Sequence, residues 1–204
     1  MKKRMTIGII VAIVLVAVIA GYFIISNTSS SSKQSSLITK DPIELALSQA
    51  DVPSDFIINS DPSETGYKDD SYWGNESEKQ QAINRGFTKG YRNTFFYQDP
   101  NALLSVKTIS SSISLYSLEG AKEAFNENQQ NFLEGGCTQF DVQKIGDGNF
   151  GCYEADTSSI AVKTYYYIFF YEKNVNVFVS IGQTGTVNLK DDAIKYAKVV
   201  ANKI

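Results

Sequence analysis

The chain has 204 residues, with 19 Lys and Arg against 22 Asp and Glu, and no histidine. Setting aside Lys2, Lys3 and Arg4 takes the formal charge from −3 to −6, so the remainder has no charge complementarity to DNA, RNA or anionic lipid, which argues against a nucleic-acid function. The lack of histidine removes Ser-His-Asp and Cys-His nucleophile activation and the common zinc-hydrolase sites.

Lys2, Lys3 and Arg4 precede an uncharged apolar run over residues 5–25. As a helix, that run is about 31 Å long and matches the hydrocarbon core of a bilayer. The charge asymmetry puts residues 1–4 in the cytoplasm and everything after Asn27 outside. A cleaved signal peptide has an apolar region of only about 7–15 residues. This run is longer, although Val18, Ile19 and Ala20 before Gly21 form a tolerable cleavage site. It ends in no cysteine for lipid attachment, and no glutamate near its start suggests a pilin-like helix. The expectation is an uncleaved transmembrane signal anchor. Residues 26–36 form a Ser-rich linker with nothing to bury, a flexible coil reaching roughly 20 Å. Asn27 and Asn75 each open a triplet that fits the N-glycosylation pattern, by chance or in a host that glycosylates surface proteins.

Residues 37–204 are enough for one domain. Asp41 as cap, Pro42 at the first turn and Glu44 three residues after the cap predict a helix that runs to about Ala50. Phe56, Ile57 and Ile58 read as a short strand, and 61–74 as a loop rich in turn formers and acids. A helix over 76–85 leads to a strand ending near Gln98. Asp99, Pro100 and Asn101 signal a turn before a long strand over 103–116. Leu118, Ala121, Phe125 and Phe132 recur at helical spacing. Strands are expected near 139–145, 149–156, 160–173 and 175–183, the last two joined through Glu172, Lys173 and Asn174. A final helix carries the stripe Leu189, Ala193, Ala197, Val200 and Ile204.

Strands that follow one another through turns predict an α+β fold with a central, mainly antiparallel sheet. The strand from Tyr165 to Tyr171 is aromatic on both faces, which predicts helices on both sides of it. An exposed aromatic face used for partner binding is the alternative.

Within the acidic loop, Tyr67, Asp69, Asp70, Tyr72 and Trp73 could form a ligand rim, and a solvated acidic turn is the plainer reading. Adjacent carboxylates such as Asp69 and Asp70 do not normally converge on one substrate. Asp61, Ser63, Thr65 and Gly66 echo a calcium loop, but Tyr72 stands where the twelfth-position glutamate is needed. Trp73 either packs on Ala82 or Phe87 or offers a stacking platform for a sugar or peptide. Residues 146–151 are glycine-rich without the Lys-Ser/Thr ending of a phosphate loop, so they read as a turn between strands. Cys137 and Cys152 are an even pair in a segment expected outside the cell, which predicts a disulfide worth about 3 kcal/mol through loop closure. Two cysteines without histidine do not supply a tetrahedral metal set. No cofactor and no catalytic residue is assigned.

Local phrases carry a resemblance. The stretch Ala50, Asp51, Val52, Pro53, Ser54, Asp55, Phe56 is similar to the "sDLPsGF" opening of a group of extracellular domains. Ala82, Gly86, Phe87, Gly90 and Tyr91, then Ala121 with Phe125, then Ile145, Gly146 and Asp147 follow in the same order. Over about residues 40–204 the chain resembles PknH-type sensor and LpqN-type lipoprotein ectodomains. The resemblance implies a Mog1/PsbP-like α/β/α fold and a non-catalytic binding or sensing role. The chain departs from the kinase-linked members in having four residues before its apolar run and one cysteine pair where those sensors tend to have two disulfides. The expected function is a membrane-anchored, extracytoplasmic module that binds a small molecule or an envelope protein. A carboxylate-based envelope hydrolase and a structural surface protein are the alternatives.

Overall fold

The computed structural model describes residues 36–204 except 70–71, 103–104 and 158–160. The expected anchor, nearly all of the linker, and Asn27 lie outside the described residues. Eight strands form one antiparallel sheet: β1 (Ile57–Ile58), β2 (Gly66–Tyr67), β3 (Lys89–Gln98), β4 (Val106–Leu115), β5 (Thr138–Phe140), β6 (Gly148–Asp156), β7 (Lys163–Glu172) and β8 (Val175–Thr184). Their order is β1-β3-β4-β8-β7-β6-β5, with β2 also paired to β3. The chain leaves the sheet after β4 and returns through the meander β5–β8, so that β8 closes against β4. The α-helices among the described residues are α1 (Pro42–Leu45), α2 (Glu76–Asn84), α3 (Leu118–Glu134) and α4 (Lys190–Ala201).

Side chains alternate between the two faces of a strand. On one face, Phe95 of β3, Ile109 and Ile113 of β4, Ile168 and Phe170 of β7, and Val175 to Ile181 at every second position of β8 form one buried cluster. Ala193, Tyr196, Ala197 and Val200 of α4 cover it, at the spacing its sequence stripe predicts. On the other face, Phe125 and Phe132 of α3 pack on Phe150, Tyr167, Phe169, Tyr171 and Phe178. Helices therefore cover both sides of β7, and its aromatic alternation is used by two separate cores.

The first helix is one turn long, ending at Leu45 rather than near Ala50. Leu45, Ala46 and Leu47 are consecutive and all buried, an arrangement an amphipathic surface helix does not satisfy. The backbone of Leu47 is instead bolted to the sheet. Its N–H donates to Ser111 Oγ at 3.0 Å, and its carbonyl accepts from Asn93 Nδ2 at 2.5 Å. Ser111 Oγ then donates to Asn93 Oδ1 at 2.6 Å, which satisfies these buried polar groups within an otherwise apolar face. Lys203 closes the same region from the C-terminal end, donating to Asp51 Oδ2 and to the Ala46 carbonyl, each at 2.6 Å.

Two further differences concern the strands. The expected strand over 139–145 is reduced to Thr138–Phe140, because the Asn149 side chain bonds the Ile145 N–H and the Val142 carbonyl in place of a ladder partner. The two-residue β2 arises inside the stretch read as a loop, pairing Gly66 with Arg92 and Tyr67 with Tyr91. The Sγ atoms of Cys137 and Cys152 stand 2.12 Å apart with Cα atoms at 5.8 Å, joining the end of α3 to β6.

Candidate functional site

Helix α3 packs on β6, β7 and β8 and leaves the corresponding face of β4 uncovered. The sequence of β4 suits both environments. Ile109, Ile113 and Leu115 face the α4 core, and Thr108, Ser110, Ser112 and Ser114 alternate with them on the other face. Ser112 lies between Arg92 on β3 and Phe178 on β8, and Ser114 lies opposite Asn176. Helix α2 with Lys68, Tyr72 and Trp73 stands on one side of this strip, and α3 stands on the other. Between them is a cavity of about 540 Å³ floored by Ser112, Ser114, Asn176 and Phe178. That size is within the range of about 300–1,000 Å³ common for small-molecule sites.

The two walls are joined where α2 ends and α3 begins. Asn75 caps α2 by accepting from the Glu78 N–H at 3.0 Å, and Ser117 caps α3 by accepting from the Gly120 N–H at 3.0 Å. Ser117 Oγ also donates to the Arg85 carbonyl at 2.9 Å. A Cβ at Gly120 would stand 1.8 Å from that same carbonyl oxygen, so only glycine permits this close approach of the helices. Arg85 completes the junction through Glu127, 2.5 Å away. The hydrogen bond to Glu127 raises the Arg85 pKa above its ordinary value, outweighing burial.

Lys68 reaches the floor from the edge of the sheet. Its N–H donates to the Gly90 carbonyl at 2.9 Å, continuing the direction of β2. Its stem crosses β3 over Gly90, where a Cβ would stand 2.6 Å from Lys68 Cδ. The ammonium donates to Ser114 Oγ at 2.7 Å and lies 4.7 Å from the centre of the Tyr72 ring. Burial pushes its pKa below the ordinary lysine value. The Arg92 guanidinium carbon is also 4.7 Å from the Tyr72 ring centre. Among the described residues, neither cation has a carboxylate at salt-bridge distance.

An aromatic chain lines the same side: Tyr72 to Trp73 at 5.1 Å, Trp73 to Phe87 at 5.2 Å and Phe87 to Tyr116 at 5.5 Å. Burial raises the Tyr116 pKa to about 12, so its hydroxyl keeps its proton at any physiological pH. The carboxylates at the cleft are engaged with the protein itself. Glu127 holds Arg85, and Glu78 accepts from the Gly74 N–H at 3.2 Å and Asn75 Nδ2 at 2.8 Å. Among the described residues no three His, Cys, Asp or Glu side chains are grouped to hold a metal ion.

The residues singled out in the acidic loop are separated by the fold. Tyr72 and Trp73 line the cleft. Tyr67 pairs with Tyr91 on the opposite face, with its hydroxyl donating to Asp41 Oδ1 at 3.1 Å and its ring 5.3 Å from Tyr91. Asp69 is exposed, and its carbonyl accepts from the Tyr72 N–H at 3.1 Å, while Asp70 lies outside the described residues. Trp73 does make the contact with Phe87 that a packing role requires, and it faces the cavity as well. Lys68, Arg92, Ser112 and Ser114 escaped the sequence reading. Their signal was the small polar residue at every second position from Thr108 to Ser114, with an arginine at the fourth residue of the adjoining strand β3.

No family model matches the chain and no curated protein matches it. Among solved structures it is similar to the extracellular domain of PknH from Mycobacterium tuberculosis, with 12% sequence identity, 82% of this chain and 97% of that chain covered, and a TM-score of 0.43.

Proposed function

We propose that this protein is a membrane-anchored, extracytoplasmic module that binds a small molecule in the cleft between α2 and α3 and senses or presents it without chemical conversion. The observation that carries the reading is the cleft itself: a cavity of about 540 Å³ walled by aromatic rings and floored by hydroxyl and amide side chains. The lining is more polar than apolar, with Arg92, Ser112, Asn128, Asn131 and Asn176 set among the rings, which suits orienting a polar ligand through hydrogen bonds. The absence of histidine and the engagement of Glu78 and Glu127 within the wall support binding over acid–base catalysis. The apolar run over 5–25 with its preceding cations supports an anchor with the domain outside, and the cysteine pair suits an oxidising compartment.

The test is native mass spectrometry of the full chain extracted gently from the membranes of its host. The expected result is a reproducible excess mass on the wild type that is lost on denaturation. A Ser112→Phe substitution, which fills the floor, should abolish the adduct while leaving the thermal transition in place. A bare protein in both cases would argue instead for an envelope protein as the partner.

A further inference from the structure

We infer that the cleft selects a ligand carrying an oxyanion, a carboxylate or a phosphate ester, seated between Lys68 and Arg92 beside Tyr72. This deepens the binding-module reading and rests on it. The argument starts from two cations placed against one ring. The Lys68 ammonium, just past β2, and the Arg92 guanidinium carbon, on β3, both lie 4.7 Å from the Tyr72 ring centre and line one cavity. A ring face offsets part of their charge, but it does not use their N–H donors in the plane of an acceptor. Lys68 spends donors on Ser114 and on the Tyr72 hydroxyl, and Arg92 acts electrostatically on Asp61 while no carboxylate stands at salt-bridge distance from it among the described residues.

The protein contrasts these two cations with others on the same domain. Arg85 has Glu127, Lys89 has Asp41, Lys107 has Asp192 and Lys203 has Asp51. The acidic balance of the chain makes carboxylate partners plentiful, with 22 Asp and Glu. Lys68 and Arg92 nevertheless line a recess together with neutral hydroxyls and amides, and among the described residues the carboxylates lining the same cavity, Glu78 and Glu127, are directed to Gly74, Asn75 and Arg85. A desolvated ammonium with no carboxylate at salt-bridge distance among the described residues is costly, and a bound anion offsets that cost. The guanidinium fork supplies paired donors for a planar carboxylate or a phosphate edge, and Lys68 adds a compact charge beside it. Ser112 and Asn128 then lie within the cavity to meet hydroxyl or amide groups on the body of the ligand.

Trp73 is the only tryptophan of the chain and stands 5.1 Å from Tyr72, so its fluorescence reports occupancy directly. The full chain in detergent is titrated with inorganic phosphate and, separately, with succinate, against potassium chloride at matched ionic strength and against glucose as a neutral polyol. At least one of the two oxyanions should give a saturable change. Arg92→Gln and Lys68→Met should each weaken it roughly tenfold to a hundredfold, the loss of one charge-assisted contact, and Lys68→Arg should retain most of it. Should Lys68→Met fail to fold, the half-buried Arg92→Gln carries the test. A response shared equally by chloride, an affinity unchanged in the variants, or saturation by glucose alone overturns the inference. A neutral molecule found on the native protein by mass overturns it while the binding reading stands. No native adduct and no response to any probe removes both.

Discussion

The two faces of the sheet are made from the same strands and do opposite things. Under α4, every second residue of β3, β4, β7 and β8 contributes to one continuous apolar layer, and its few polar members, Asn93 and Ser111, bond each other and the Leu47 backbone. On the other face the layer divides. Beneath α3, phenylalanines and tyrosines of β6, β7 and β8 form a second, smaller core stapled by Cys137 and Cys152. Beside it, β4 offers Thr108, Ser110, Ser112 and Ser114, and the cleft opens. Stability is concentrated where apolar alternation is unbroken, and binding capacity is left where it is interrupted. Substitutions at neighbouring or opposed positions should therefore have very different costs.

The largest effect is expected on the α4 face. Phe170→Ala removes a fully buried ring and should cost about 3–5 kcal/mol in urea unfolding. Ser112→Ala, on the half-buried floor of the cleft, should stay within about 0.5 kcal/mol. Similar costs for the two would break the comparison. Next in size is the staple. The double variant Cys137→Ala with Cys152→Ala should lose about 3 kcal/mol. By hydrogen exchange the loss should appear first in the C-terminal half of α3, leaving α4 protected; uniform loss across both helices would mean that the two cores unfold as one unit.

The smallest effect is a matter of sign. Lys68 has a folded pKa below the ordinary 10.5 because burial disfavours its charge. Between the lowered value and 10.5 the unfolded chain therefore binds more protons, so the Lys68 contribution to stability rises with pH. The stability of wild type relative to Lys68→Met should climb through that window. Oxyanion affinity at the cleft should fall through the same window as the ammonium is lost. If the two quantities move in the same direction, Lys68 is not the group that meets the anion.

Much of this architecture was legible in the residues. The stripe from Leu189 to Val200 and the spacing of Phe125 and Phe132 predict helices, because a 3.6-residue repeat of apolar side chains can bury only one helical face. The aromatic strand from Tyr165 to Tyr171 predicts two covered faces, because alternation puts its neighbours on opposite sides. The cysteine pair could be named from its even count. Tertiary structure decided the rest. The turn at Pro42 stops after Leu45 because the Leu47 backbone finds its partners in Asn93 and Ser111, 46 and 64 residues further along the chain. The cleft joins Lys68, Arg92, Ser114 and Asn131, which no local spacing relates. Local sequence carries periodicity and capping, which act over one or two turns. Strand order and the meeting of Gly120 with Arg85 depend on contacts between distant segments, and those contacts determine which cations are paired and which are left facing the cavity.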